Sequence, residues 1–157
     1  MLVDDEVFNL KAMSHILTKI DPEMRLFWAE DGKIAVELYK EKNRSNSCKN
    51  CDFFLMIVMD INMITMDGHE ATRQIVALKE DLFLKNNSIN TVKILGCTAY
   101  TCVNAREQGL ASGMQGFMHK PILRKNCVQS LIELGILGQE AMDAHLPVPE
   151  RGPPVGG

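Results

Sequence analysis

Short unbroken apolar runs alternate along this chain with segments whose apolar residues recur every three or four positions. Leu2 and Val3 run straight into Asp4 and Asp5; Leu10, Met13, Leu17 and Ile20 then mark one face of a helix. Met24 to Trp28 predicts a second strand, closed by the turn residues Glu30, Asp31 and Gly32, and Ile34, Ala35 and Leu38 predict a second helix. Polar residues 41 to 51 predict a loop. Phe53 to Met59 is apolar at every position, the pattern of a strand buried on both faces and hence of a parallel sheet. Asp67 stands three residues before Glu70, which predicts a helix cap with its reciprocal carboxylate and a third helix to about Lys85. Val92 to Cys97, residues 102 to 111, Gly116 to His119, and Ile122 to about Leu137 continue the alternation, the last with Val128, Leu131 and Ile132 turned inward. Five strands, each followed by a helix, specify an α/β doubly wound sheet.

Composition narrows the organisation. The 157 residues suit one domain with a closed core, which the pattern places at residues 1–139. Leu146 to Gly157 holds four of the six prolines and three glycines, so residues 140–157 read as a flexible tail or linker. The first strand is short for a central one, which suggests a chain that starts late, as a fragment. A net charge of −3 without a basic run argues against broad binding to nucleic acid or an anionic membrane. The longest clean apolar run, Phe53 to Met59, falls well short of the roughly 18 residues of a membrane span. Five cysteines, an odd number with no export signal, fit a reducing, cytoplasmic compartment.

Candidate chemistry follows from topology. Open parallel sheets bind ligands outside the carboxyl ends of their strands. The polar residues at those ends are Asp4 and Asp5, Asp60, Thr98, and Lys120, far apart in sequence and brought together by the fold. Crowded carboxylates raise one another's pKa unless a cation neutralises them. Oxygen-only donors suit a hard ion, most simply Mg²⁺, and the lysine and hydroxyl supply further partners for a phosphoryl group.

The runs LVDDE (2 to 6), MDINMITMDG (59 to 68), CTAYT (97 to 101) and GFMHKPI (116 to 122) resemble, in order and spacing, the receiver domain of two-component response regulators. The wording MDINMITMDGHEAT most resembles receivers of hybrid histidine kinases. The resemblance covers roughly residues 2 to 139 and implies a flavodoxin-like sheet of order 2-1-3-4-5 with five helices. It implies that Asp60 accepts a phosphoryl group in a histidine-to-aspartate phosphorelay. Asp5 falls on a direct Mg²⁺ ligand, Asp4 on one acting through water, and Asn62 on the position whose backbone carbonyl completes the metal site. Thr98 falls on the switch hydroxyl, with the small Ala99 beside it; Lys120 on the lysine paired with the phosphoryl group; Pro121 on a cis-proline; and Phe117 on the aromatic switch position. Asn62 and Tyr100 fall where side chains tune dephosphorylation, and the bulk of Tyr100 implies a long-lived phosphorylated state. A histidine kinase or histidine phosphotransfer protein is the implied donor, and a further protein the implied downstream partner. Ile64 departs from the proline usual at its position, which leaves the loop after Asp60 less rigid.

Taken singly, these features have ordinary explanations: an Asp-Asp pair caps a helix, Lys-Pro makes a surface turn, Phe117 fills a core. Two other functions fit the same fold, a phosphorylation-independent interaction module and a small Mg²⁺-dependent phosphatase. The intact acidic set argues against the first; the second needs a DxDx(T/V) pattern after the first strand, which is absent. Cys48 and Cys51 form a CxxC without a second ligand pair, so surface cysteines are the simpler reading.

Overall fold

The computed structural model describes residues 1–43, 54–86, 92–99 and 103–145. Along the chain come β1 (Leu2–Val3), α1 (Val7–Ile20), β2 (Trp28–Ala29), α2 (Gly32–Asn43), β3 (Met56–Asp60), α3 (Gly68–Asn86), β4 (Lys93–Thr98), α4 (Val103–Ser112), β5 (Gly116–His119), α5 (Arg124–Glu133) and α6 (Ala141–His145). The strands form one parallel sheet of order β2-β1-β3-β4-β5. This is the doubly wound, flavodoxin-like arrangement that the alternation of runs and the motif resemblance implied.

Strand alternation builds two cores. Val3, Ile57, Met59 and Ile94 face one side, where they pack with Ala35, Val36 and Tyr39 of α2 and Ala71 and Ile75 of α3. Leu2, Val58, Leu95 and Cys97 face the other, against Leu10, Met13 and Leu17 of α1 and Cys127, Val128 and Leu131 of α5. Each fully buried aliphatic side chain contributes about 1.5–3 kcal/mol over its exposed state, so the central strands are apolar throughout because both faces are covered.

The register fixes the site. β3 pairs with β4 so that Asp60 lies opposite Cys97, and β4 with β5 so that Thr98 lies opposite His119. β1 pairs on both sides, Val3 lying between Ala29 and Met59, so Asp4 leaves the sheet next to Asp60.

Several boundaries differ from the sequence reading. Residue pairing in β2 begins at Trp28, not Met24; Leu26 and Phe27 pack on the cores as a lead-in, Phe27 giving the ladder only its carbonyl, which accepts the Leu2 N–H at 2.7 Å. β3 begins at Met56, and Leu55, read as buried strand, is 68% exposed. Ile34 faces solvent, while Val36 and Tyr39 turn inward. Asp67 does cap α3, its Oδ1 accepting the Glu70 N–H at 2.8 Å, but the Glu70 carboxylate turns to Arg73 and Gln74 instead of reaching back. α5 ends at Glu133, and Gly135 takes φ +70° soon after it. α6 falls in the segment read as tail from residue 140: Ala141 is buried and Met142 packs on the α1/α5 core, so residues 141–145 join the folded body. Cys48, Cys51, Tyr100 and the proline-rich residues 146–157 lie outside the described residues.

Candidate functional site: an acidic cluster with a lysine

Three strand ends supply the charged groups. Asp4 is fully buried at the end of β1 and Asp60 is 4% exposed at the end of β3. Asp5, half-buried, completes a group in which one carboxylate oxygen from each residue lies within 4.8 Å of the other two. Lys120, just past β5, reaches across: its Nζ lies 2.7 Å from Asp4 Oδ2 and 3.0 Å from Asp60 Oδ2. The Lys120 N–H donates to the Thr98 carbonyl, which ties the lysine to the end of β4. The Lys120–Pro121 peptide bond is cis.

The electrostatics follow burial. Desolvation pushes the Asp60 carboxyl above its ordinary pKa, and Asp4 adds to this, while Lys120 and the Asn62 backbone pull the other way without cancelling it. Burial also bears most strongly on Lys120 and works against its charge. The two aspartates outweigh it, and the ammonium is held above its usual value. One lysine against three carboxylates leaves the cluster short of positive charge.

The donor set fits a hard divalent ion. Every donor is a carboxylate oxygen, and Asp4 Oδ2, although close to Lys120, accepts no directed hydrogen bond. Such an oxygen, buried in a residue grouped with two other carboxylates, is a ready ligand for Mg²⁺.

The loop after Asp60 is folded back onto it. Gly68 N–H donates to the Ile61 carbonyl at 2.9 Å, and a Cβ on Gly68 would overlap the Asp60 carbonyl oxygen and crowd Ile61 Cα. Within this loop Ile61 and Met63 are buried, Asn62 is exposed, and Ile64 is 95% exposed. Thr98 is buried one residue beyond Cys97. Phe117 is half-buried: its ring lies against Gly96 of β4 and Gly109 of α4, where any Cβ would strike it, and the Arg106 guanidinium stands 5.5 Å from the ring centroid.

The structure therefore brings Asp4, Asp5, Asp60 and Lys120 together, with Thr98 at the neighbouring strand end. Phe117 stands apart, between β4 and α4. Sequence reasoning missed Asn9, whose side-chain amide donates to Asp4 Oδ1 at 2.9 Å. Its one sequence signal is a polar residue in the first turn of the helix after the aspartate pair.

Two thiols border this region and should be silent. Burial pushes Cys97 up to about 12, with Lys120 opposing, and pushes Cys127 up to about 11. Thiolate is the reactive form. Iodoacetamide at pH 8 is accordingly expected to leave both unmodified in the folded protein and to modify both in denaturant, as read by peptide mass mapping; native alkylation of Cys97 would contradict this burial.

Comparison with known sequences agrees with the geometry. The family model of the response regulator receiver domain matches residues 1–132. A probable histidine kinase 3 from Oryza sativa subsp. japonica is 32% identical over 135 residues, covering 77% of this chain and 12% of that protein. Hybrid signal transduction histidine kinase I from Dictyostelium discoideum is 30% identical over 122 residues, covering 78% of this chain and 6% of that protein. The chain thus spans a small fraction of the curated relatives it matches. Among solved structures, the receiver domain of a sensor histidine kinase from Pseudomonas aeruginosa PAO1, with magnesium coordinated in its active site cleft, superposes with TM-score 0.63 at 26% identity, covering 85% of this chain and 94% of that one.

Proposed function

The chain belongs to the response regulator receiver domain family of two-component systems, related to the receivers of hybrid histidine kinases, and from that membership we propose that it accepts a phosphoryl group on Asp60 in a phosphorelay. The observation that carries this reading is the buried Asp60 carboxylate, 3.0 Å from the Lys120 ammonium and grouped with Asp4 and Asp5.

Each residue has a task. Ionised Asp60 attacks the phosphorus of a phosphohistidine on a histidine kinase or histidine phosphotransfer protein. A P–O bond forms on the carboxylate, the P–N bond breaks, and the departing imidazole takes a proton. Lys120 neutralises charge on the transferring oxygens and holds the phosphoryl group once it is in place. Asp4, Asp5, Asp60 and the backbone carbonyl of Asn62 would hold Mg²⁺, which supplies charge neutralisation for the phosphoryl oxygens when bound. Catalysis is confined to the domain's own phosphorylation and slow dephosphorylation, tuned by Asn62 and Tyr100.

Signalling follows from the added charge. Thr98 turns to hydrogen-bond the phosphoryl group, and Phe117, on its glycine-floored seat between β4 and α4, shifts with it. The α4–β5–α5 surface then changes shape for a downstream protein partner. The segment works on the cytoplasmic side, at protein contacts and not on nucleic acid. Among the described residues no helix is long and apolar enough to cross a membrane.

Phosphotransfer tests the reading. Incubated with a phosphorylated histidine phosphotransfer domain and Mg²⁺, the wild-type chain should drain label from the histidine, and Asp60→Asn should not. Equal transfer to both proteins would overturn the assignment of Asp60.

A further inference from the structure

Asp4 is fully buried, yet its two carboxylate oxygens live in different surroundings. Oδ1 accepts two N–H donors, the Glu6 backbone at 3.0 Å and the Asn9 amide at 2.9 Å. Oδ2 accepts no directed hydrogen bond and is ion-paired at 2.7 Å with the Lys120 ammonium, which also lies 3.0 Å from Asp60 Oδ2. A carboxylate free to rotate would present either oxygen to the cluster. Two donors on one oxygen fix its plane and leave the other for a cation.

We infer that Asn9 is a positioning residue for the divalent-cation site: by occupying Asp4 Oδ1 from the first turn of α1, it turns Oδ2 toward the ion. This rests on the reading of the cluster as an Mg²⁺ site. The Asn9 Nδ2 also lies 3.5 Å from Glu6 Oε2, so its amide hydrogens meet acceptors on two sides and the nitrogen end is held toward Asp4. The opposite orientation would set the amide oxygen against a buried carboxylate, an acceptor facing an acceptor. Without Asn9, Oδ1 would keep only the Glu6 N–H, and the Lys120 ion pair at Oδ2 would be the other restraint on the carboxylate plane, one that a bound cation would compete with. Hydrogen-bond partners that orient a ligand in this way typically govern metal affinity by about 10- to 100-fold.

The test is a titration of the ¹⁵N-labelled 157-residue chain with MgCl₂, followed by amide shifts, for wild type, Asn9→Ala and the near-isosteric Asn9→Leu. Metal-free spectra report whether each variant is folded, which separates positioning from a merely structural role. Wild type should saturate with shifts at Asp5, Asp60 and the Asn9 side-chain amide. The folded variants should bind about tenfold or more weakly. Variants that fold and bind Mg²⁺ as tightly as wild type would overturn the role of Asn9 while leaving the phosphoacceptor reading intact. Variants that both fail to fold would make Asn9 a structural residue and overturn it too. A wild-type chain without Mg²⁺-dependent shifts at the cluster would remove the cation site itself, and this role with it.

Discussion

Replacing Lys120 by alanine is expected to destabilise the metal-free protein by about 3 kcal/mol, since it leaves buried carboxylates without their cation. Lys120 is the ion-pair partner of both Asp4 and Asp60, at 2.7 and 3.0 Å, and only 22% of its side chain is exposed. The loss depends on pH, with a definite sign. Desolvation already holds the folded Asp60 above the ordinary carboxylate range, so the folded state binds the proton more tightly than the unfolded one and stability falls as pH rises from the unfolded pKa through the folded one. Lys120 opposes the shift; its removal raises Asp60 further and widens the interval upward. The gap in melting temperature between wild type and Lys120→Ala should therefore grow from acid toward neutral pH. Millimolar Mg²⁺ should narrow it by supplying the missing charge. Phosphorylation should remain slow in the variant even with the ion present, by about 10²-fold, because the lysine acts on the transferring oxygens. Melting curves across pH with and without Mg²⁺ check the first part. A variant as stable as wild type in EDTA at neutral pH would contradict the ion-pair geometry.

Gly68→Ala should be nearly as damaging, through backbone rather than charge. The added methyl would meet the Asp60 carbonyl oxygen and Ile61 Cα, neither of which is the movable end of a side chain. Relief requires the loop from Asp60 to Gly68 to open, breaking the Gly68 N–H bond to Ile61. Overpacking of this kind costs about 1–3 kcal/mol. A displacement of Asp60 by even about 1 Å can cost 10²-fold in rate, so the phosphorylation rate should fall more than stability alone would explain. Thermal melts and phosphorylation time courses on the same sample separate the two effects; an unchanged rate would mean that the loop yields without moving Asp60.

The site was more legible in the sequence than the element boundaries. Apolar runs that stop at Asp4, Asp60 and Thr98 mark strand ends, and strand ends of a parallel sheet converge, so side chains distant in sequence could be placed together before any coordinates. What hydropathy could not give is ladder pairing. Leu26 and Phe27 are as apolar as a strand because they pack on the cores, but residues pair with β1 only at Trp28–Ala29, Phe27 lending just its carbonyl to the Leu2 N–H. Leu55 has a strand's composition and lies at the rim. The Asp67 cap follows from local spacing, whereas Glu70 had several partners within reach and took Arg73 and Gln74. α6 was hidden because five residues carry too little periodicity to set against the prolines that follow. Asn9 escaped notice for a different reason: its role lies in a hydrogen bond to a buried oxygen, which no residue pattern reports.

Intact mass after incubation with acetyl phosphate and Mg²⁺ tests the central claim most directly, with Asp60→Asn and an EDTA sample alongside. A single phosphoryl adduct on the wild-type chain, absent from both controls, is the predicted result. A folded wild-type chain that takes no adduct, or an adduct that persists in Asp60→Asn, would contradict the assignment of Asp60 as phosphoacceptor.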